Sequence, residues 1–304
     1  MVAWDARSVL VALNALTPFL FLPAWPVAVA AGLARRWALF ATALAVVLAH
    51  VALVAPELAA RSPLPAAVAG VRAVRLFNAN VFASNDRVDG IAGEIRASRP
   101  DVVFLQESTP AIVEAIDATG ALEELPYRLA VRRNDPFGGL LAARWPLLEQ
   151  DVVELDGRPV LLRATVETEG GPLRLDAVHV VAPFGGGREP WIDGMRGIAD
   201  AVRAERLPVL MAGDFNATWG HRAFRRLLDA GLTDAAAARG RPLQMTWRQG
   251  RFVPPLTRID HVLTSPGLAV VAIRTGEGQG SDHRPIVADV IRTDLAAVTR
   301  VSGG

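Results

Sequence analysis

The sequence contains neither cysteine nor lysine. Without cysteine the chain can form no disulfide framework and no catalytic thiolate. The lack of cysteine is compatible with either side of a membrane. All 32 basic residues are arginine. The absence of lysine therefore excludes catalysis through a lysine nucleophile or a Schiff base.

Several common catalytic motifs are also missing. The chain has no HExxH, no cysteine cluster, no GxSxG nucleophile elbow and no P-loop. Residues 184–189, FGGGRE, are rich in glycine but lack the GxGxxG pattern of a dinucleotide site. These absences argue against zinc, serine-triad and nucleotide-cofactor enzymes, and we expect no organic cofactor.

The charge balance does not indicate a nucleic-acid-binding surface. Residues 1–64 contain four arginines and two acidic residues, and the rest of the chain contains 28 arginines and 29 acidic residues. Tight, nonspecific binding to nucleic acid usually requires a clear basic excess. Nucleic acid is therefore allowed as a substrate but is not indicated by composition.

The sequence does have two long apolar stretches near its start. Hydrophobic residues make up 51% of the chain, and the mean hydropathy is +0.28. Residues 8–34 and 37–55 carry no charged side chain, and Arg35-Arg36 separates them. Each stretch is long enough to cross a bilayer, which takes about 20 apolar residues. Both are predicted to be transmembrane helices that form a hairpin, although three prolines (Pro18, Pro23, Pro26) would kink or shorten the first one.

The orientation of this hairpin is indicated by its short connection. Arginine in a short loop favours the cytoplasmic side, so Arg35-Arg36 predicts that both ends of the hairpin, and the domain that follows, are extracytoplasmic. Arg7 and Arg61 on the outer flanks oppose this orientation. A cleaved signal peptide or a buried hairpin of a soluble protein are the alternatives to a membrane hairpin.

After the hairpin the sequence alternates short apolar runs with amphipathic segments. We assign residues 1–60 to the hairpin, 61–71 to a Pro-marked linker, 72–292 to a layered α/β or α+β domain and 293–304 to a tail. Predicted strands cover residues 74–81, 101–106, 138–144, 160–168, 173–182, 207–213, 259–265 and 284–291. Predicted helices lie near residues 87–98, 109–118, 190–205 and 221–230.

Polar side chains recur at or near the ends of these strands. They are Asn80, Glu107, His179, Asp214, Asn216, Asp260, His261, Asp282 and His283. Each has an ordinary explanation by itself; Asp214 and Asn216, for example, are typical of a tight turn. Together, however, buried groups of this kind need partners, because burying them unpaired costs several kcal/mol each. Carboxylate and amide oxygens suit Mg²⁺ or Mn²⁺, and with histidines they suggest metal-assisted attack of water on a phosphate ester.

The motifs that carry these residues resemble one known family. NANVFASN, PDVVFLQE, VHVVAP, GDFNATW, RIDHVL and SDHRPI occur in the order and spacing of the endonuclease/exonuclease/phosphatase family, over about residues 72–292. The resemblance implies a four-layer α/β sandwich of two packed mixed β-sheets with outer helices, here preceded by the two transmembrane helices. It also implies a Mg²⁺-dependent phosphoesterase, with Mn²⁺ as an alternative ion.

The resemblance implies a metal side and a phosphate side of the site. Glu107 would be the main metal ligand with Asn80 beside it, and Asp282 would be a further carboxylate on the metal side.

On the phosphate side, Asp214 would hold or activate the attacking water, and Asn216 would orient the phosphate. His283 would contact the scissile phosphate, Asp260 would fix the orientation of His283, and His179 would donate to a phosphate oxygen. His261 is interpreted as structural, because adjacent strand residues point to opposite faces.

Within this family the sequence departs from the abasic-site endonucleases. Val81-Phe82 follow Asn80 where those enzymes place an acidic residue, and His179 stands where they have a different stretch. We therefore expect a membrane-anchored, monomeric phosphoesterase that acts on a phosphodiester, either a lipid headgroup or nucleic acid. A phosphomonoesterase, or an inactive binding protein on the same fold, is the alternative. The loops at 131–138, 184–191 and 248–258 are predicted to form the rim that selects the substrate.

Overall fold

The structure is a computed structural model that describes residues 5–64, 72–248 and 254–293. Residues 65–71 of the predicted linker, 249–253 of one predicted rim loop and 294–304 of the predicted tail lie outside the described residues. The described residues contain the four helices of the N-terminal segment and a layered domain.

Twelve strands and nine helices are defined in the described residues. The strands are β1 (Val74–Asn80), β2 (Val102–Gln106), β3 (Tyr127–Val131), β4 (Gly139–Ala143), β5 (Leu148–Leu155), β6 (Arg158–Thr168), β7 (Gly171–His179), β8 (Val209–Asp214), β9 (Thr233–Asp234), β10 (Asp260–Thr264), β11 (Leu268–Thr275) and β12 (Ile286–Arg292). The helices are α1 (Ser8–Ala15), α2 (Thr17–Leu20), α3 (Ala24–Leu33), α4 (Trp37–Ala59), α5 (Val88–Ser98), α6 (Pro110–Ala118), α7 (Arg188–Ala204), α8 (Arg222–Asp229) and α9 (Ala235–Ala238).

The strands form two mixed sheets of six. The first has the order β11-β12-β1-β2-β4-β3, and the second has the order β5-β6-β7-β8-β10-β9. Each sheet has one parallel pair, β1 with β2 and β7 with β8, and its other pairs are antiparallel. The predicted sandwich of two mixed sheets with outer helices is confirmed.

Strand alternation produces three apolar layers. One face of each sheet packs into a shared inner core that includes Leu76, Phe104, Leu175 and Leu210. The opposite face of the first sheet packs with residues of α5 and α6. The opposite face of the second sheet packs with α7 and α8 around the fully buried Trp191.

The two parallel pairs explain why polar residues collect at one edge. Parallel strands end at the same side of a sheet, so β1 and β2 deliver Asn80 and Glu107 together, and β7 and β8 deliver His179 and Asp214 together. In register, Asp214 lies between His179 on one side and Asp260 on the other. The antiparallel β10 starts at this same edge, which adds Asp260 to the group.

The N-terminal segment is a bent helical hairpin. Helix α4 is long and apolar enough to cross a membrane, and only 17% of its apolar window is buried. The first predicted span is broken: α1 and residues 17–33 meet at 74°, with Pro18 inside the first turn of α2 and Pro23 at the start of α3. The prediction that proline would kink this stretch agrees with the break, whereas a second membrane span is not confirmed.

Both ends of the hairpin contact the layered domain. Val11 of α1 is fully buried in the core cluster of α7 and α8, and its carbonyl lies 2.9 Å from Nε2 of His221. Oδ2 of Asp5 accepts a hydrogen bond from the backbone N–H of Ala223, at 2.9 Å. At the other end, Glu57 of α4 forms a buried ion pair with Arg258. The hairpin is therefore joined to the domain both by apolar packing and by buried hydrogen bonds and an ion pair.

Candidate active site

Glu107 and Asn80 meet directly at the ends of β2 and β1. The Nδ2 of Asn80 donates to Oε1 of Glu107 at 2.9 Å and to Oδ2 of Asp214 at 3.1 Å. The Oδ1 of Asn80 accepts from the backbone N–H of Phe82, and Oε2 of Glu107 accepts from the N–H of Ala83. Asn80 thus holds two carboxylates from different sheets at a fixed separation.

Asp214 and Asn216 form a tight turn after β8. The backbone N–H of Asn216 donates to Oδ1 of Asp214 at 2.8 Å, which is an Asx-type turn. The Nδ2 of Asn216 donates to the carbonyl of Val180 at 2.9 Å. The turn therefore exists, and it also aims the second oxygen of Asp214 at Asn80.

The turn needs glycine at its base. A Cβ on Gly213 would lie 1.9 Å from the carbonyl oxygen of Val178 on β7. No other residue allows β7 and β8 to approach so closely at this point. Glycine is thus required for the position of Asp214 itself.

His283 is held by Asp260 and faces two other carboxylates. Its Nδ1 lies 2.9 Å from Oδ2 of Asp260, and its Nε2 lies 3.8 Å from Asp214 and 3.9 Å from Asp282. Ser281 accepts from the backbone N–H of His283 and donates to the carbonyl of Asn80. The loop before β12 is in this way fastened to the end of β1.

Trp247 and Thr246 support this group from the segment before β10. Nε1 of Trp247 donates to Oδ2 of Asp282 at 3.1 Å. Oγ1 of Thr246 accepts from the backbone N–H groups of Ile259 and Asp260. The sequence did not predict these supporting roles of Trp247, Thr246 and Ser281. No local motif marks a side chain that supports a site through a contact between loops.

His179 lies at the same edge, beside the aromatic ring of Phe137. It ends β7 in register with Asp214, and its ring centroid is 6.1 Å from that of Phe137. The guanidinium of Arg158 lies 5.2 Å from the same phenyl ring. Burial lowers the pKa of His179, so its imidazole is neutral at pH 7.

The pKa values of the central groups are strongly shifted. Burial, together with the negative charge of Asp260, raises the pKa of Asp214 to about 7. Burial alone would lower the pKa of His283, but the charges of Asp260 and Asp214 outweigh it and raise that pKa to about 10. His283 is therefore a cation at pH 7, and it faces an excess of negative charge.

Strained backbone accompanies the site. Glu107, Asn216 and Phe82 have φ angles of 55°, 47° and 60°. Such left-handed conformations are costly for residues other than glycine and cluster at functional positions. At Glu107 the left-handed turn ends β2 and brings its Oε2 to the backbone of Ala83.

The donor set fits a divalent cation. Glu107, Asp214, Asp260 and Asp282 share one network, and no arginine pairs with any of them among the described residues. One atom each of Asp214, Asp260 and His283 lie within 4.8 Å of one another. Asp260, however, already holds His283, so the other carboxylate oxygens of this network are the donors available to a hard cation.

The structure brings most of the predicted site residues into contact. Asn80, Glu107, Asp214 and Asn216 form one hydrogen-bonded group, and Asp260 with His283 forms a second. Nε2 of His283 lies 3.8 Å from Asp214 and 3.9 Å from Asp282, so the two groups face each other across the site. His179 adjoins the first group through its register with Asp214. His261 lies on the opposite face of β10, where its ring centroid is 4.0 Å from that of Phe224.

Comparison with solved structures shows the same fold in other proteins. The chain is similar to an endonuclease/exonuclease/phosphatase from Beutenbergia cavernae, with a TM-score of 0.56 and 20% identity over 73% of this chain and 72% of that one. It is similar to truncated TDP2 from Caenorhabditis elegans, with a TM-score of 0.62 and 19% identity over 73% and 98% of the two chains. A mannosyl-6-phosphatase from Bacteroides thetaiotaomicron gives a TM-score of 0.55 and 17% identity over 72% and 99%.

Sequence comparison adds the family. No curated protein matches the chain. The family model described as Endonuclease/Exonuclease/phosphatase family matches residues 76–283, which contain every predicted site residue. This match spans more than half of the chain, and the chain therefore belongs to the endonuclease/exonuclease/phosphatase family, whose members hydrolyse phosphate esters with a divalent metal ion.

Proposed function

We propose that this protein is a membrane-anchored, Mg²⁺-dependent phosphodiesterase. One observation carries the proposal: carboxylates, amides and histidines from both sheets form a single network at one edge, with more negative than positive charge. A purely structural network of this kind would be neutralised by arginine, which the described residues do not supply here.

Each residue of the network has a defined task in this proposal. Glu107 binds the metal ion, held in place by Asn80, and Asp282 is the second carboxylate on that side. When bound, the ion polarises the phosphate ester and offsets the charge that develops on it. Burial, together with the charge of Asp260, raises the pKa of Asp214, and a bound cation would offset part of that charge.

The phosphate side of the site acts through protons and hydrogen bonds. Asp214 accepts the proton of the attacking water, because a carboxylate with a raised pKa is a stronger base than an ordinary aspartate. Asn216 orients the phosphate. His283, kept cationic by Asp260, and the neutral His179 donate to phosphate oxygens as negative charge develops on them.

The substrate class is proposed from the surroundings of the site. Helix α4 would place the domain against a bilayer, which favours a lipid phosphodiester. Nucleic acid is the second candidate, since a solved TDP2 structure of this fold holds a single-strand DNA product. A phosphomonoester is the third, since a structure of the same fold is a mannosyl-6-phosphatase.

The proposed architecture follows the sequence prediction. We assign residues 1–60 to the membrane hairpin and 72–292 to the catalytic domain, with the domain on the extracytoplasmic side. A reporter fused after residue 304 tests the orientation. Reporter activity confined to the cytoplasm would contradict it.

The catalytic assignment is tested with the full chain in detergent micelles. Glu107→Ala and Asp214→Ala should each abolish hydrolysis of bis(p-nitrophenyl) phosphate while the thermal unfolding transition is retained. EDTA should stop the reaction, and Mg²⁺ or Mn²⁺ should restore it. Retained activity in either variant would overturn the assignment, and a parallel panel of phospholipids, nucleic acid and phosphomonoesters would identify the substrate class.

A further inference from the structure

The C-terminal end of α4 reaches the support of the proposed catalytic histidine. We propose that Glu57 and Arg258 are positioning residues for Asp260 and His283, so that the N-terminal hairpin completes the active site as well as anchoring the domain. This inference deepens the proposed function and rests on it. Arg258 lies two residues before Asp260, which is the first residue of β10.

The contact between Glu57 and Arg258 is buried and direct. Oε1 of Glu57 lies 2.5 Å from Nη2 of Arg258, and the two side chains are 10% and 5% exposed. Glu57 stands two residues before the last residue of α4, Ala59. A carboxylate at the end of the helix therefore holds a guanidinium inside the domain.

Every nitrogen of Arg258 is used to tie together separate segments. Nη1 donates to Oδ2 of Asp234 at 2.7 Å and lies 2.7 Å from Nδ1 of His261. Nε donates to the carbonyl of Pro242 at 3.1 Å. Arg258 thus joins α4 to the end of β9, to β10 and to the segment that begins at Pro242.

That last segment leads straight to the site. Four and five residues after Pro242, Thr246 and Trp247 contact the backbone of Asp260 and the carboxylate of Asp282. Arg258 therefore helps to hold the backbone of Asp260 in two ways, through the short chain segment that joins them and through the segment from Pro242 to Thr246. If the guanidinium of Arg258 moves, one or both of these segments must move with it.

Removing the Glu57 carboxylate forces such a displacement. Arginine cannot lose its proton in a protein, so a buried guanidinium that loses one of its carboxylates must turn toward the other or toward water. Catalysis is sensitive to such movements, because a shift of about 1 Å in a supporting group can cost about 100-fold in rate. The effect should fall on the chemical step rather than on substrate binding.

The experiment uses the full chain in detergent micelles with bis(p-nitrophenyl) phosphate and Mg²⁺. Glu57→Gln should lower kcat by about 10- to 100-fold and change KM less than twofold. Glu57→Asp keeps the charge on a shorter side chain, so it should show a smaller loss of kcat that still exceeds twofold. It also decides the question if Glu57→Gln fails to fold.

Asp5→Asn is the matched control. Asp5 is also a buried carboxylate that fastens the N-terminal segment to the domain, through Ala223 at the start of α8. It has no contact with β10 among the described residues. Asp5→Asn should lower the unfolding temperature yet keep kcat within twofold of the parent chain.

A measurement without substrate separates this inference from the proposed function. The Nδ1–H of His283, bonded to Asp260, should give a downfield proton NMR signal that is absent in His283→Ala. Glu57→Gln should shift or broaden this signal, and Asp5→Asn should leave it unchanged. If the parent chain hydrolyses no phosphate ester, the proposed function fails and the NMR comparison still tests the positioning role.

Two results would overturn the inference. One is kcat within twofold of the parent chain in a folded Glu57→Gln or Glu57→Asp variant. The other is an unchanged His283 signal in those variants, which would make any loss of rate a general effect of hairpin docking.

Discussion

Two carboxylate–histidine pairs are built on neighbouring residues of β10, and they have opposite properties. Asp260 points into the space between the sheets and pairs with His283 at 2.9 Å. His261 points to the outer face and lies 2.9 Å from Asp234. The pairs match in residue type, distance and burial, so what surrounds them must decide their roles.

The difference is one arginine. Arg258 contacts both Asp234 and His261, whereas no arginine contacts the Asp260–His283 pair among the described residues. Despite burial, Arg258 holds the pKa of Asp234 well below its usual range, and burial together with Arg258 lowers the pKa of His261. The carboxylates around His283 do the reverse and raise its pKa to about 10.

The arginine also fixes the tautomer of His261. Nε2 of His261 lies 2.8 Å from the carbonyl oxygen of Ala217 and must donate a hydrogen bond to it. Nδ1 of the neutral ring then accepts from Arg258. Every polar atom of this pair is used internally, so it can stabilise the fold but cannot act on a substrate. The Asp260–His283 pair instead leaves Nε2 of His283 facing the proposed site.

The largest expected effect comes from removing the proposed catalytic histidine. His283→Ala should lower kcat/KM on bis(p-nitrophenyl) phosphate by about 10²- to 10⁴-fold, the range for a group that transfers or stabilises a proton. A thermal unfolding transition recorded alongside should show that the variant is still folded. A variant that loses stability but keeps its rate would make this pair the structural one.

The second effect concerns stability. Asp234→Asn leaves the guanidinium of Arg258 with only one carboxylate, and breaking a buried ion pair in this way costs about 3–5 kcal/mol. Thermal unfolding measured by intrinsic fluorescence should show this loss. Asp260→Asn, at the other pair, should lower the unfolding temperature much less. Equal losses in the two variants would remove the distinction between the pairs.

The third effect is that of the metal ion. A ligand at 100 times its Kd stabilises the folded state by about 2.7 kcal/mol. Mg²⁺ should therefore raise the unfolding temperature of the parent chain, and EDTA should reverse this. Glu107→Gln should lose the increase, whereas Asp234→Asn, although less stable, should keep it. An increase that survives in Glu107→Gln would place the ion elsewhere.

The sequence predicted the central part of the fold and missed its margins. All eight predicted strands and four domain helices match elements of the structure. The four strands that were not predicted, β3, β5, β9 and β11, are the four sheet edges. Edge strands can expose one or both faces, and β5 is largely exposed. Strand β11 is interrupted by a bulge. Neither β5 nor β11 therefore shows a clean alternation of apolar and polar residues.

The candidate site divides in the same way. Asn80, Glu107 and Asp214 could be predicted because parallel strands deliver their ends to one edge, whatever the remaining packing. The supporting contacts of Trp247, Arg258 and Glu57 could not, because each joins segments far apart in the chain. Val11 illustrates the limit: it reads as part of an apolar span, yet it is buried in the core of the domain.

The smallest expected effect, a change in pH dependence, sharpens the comparison most directly. The negative charge of Asp260 is the main factor that raises the pKa of His283, and burial acts in the opposite direction. Asp260→Asn removes the largest raising charge, so His283 loses its proton at lower pH and the alkaline limb of kcat/KM moves down from its position near pH 10. Asp5→Asn, whose carboxylate contacts the start of α8, should leave this limb in place. Initial rates of the two variants between pH 6 and 10.5 measure the difference. Coincident alkaline limbs would mean that His283 does not act as a cation, and the arginine would then not be what separates the two pairs.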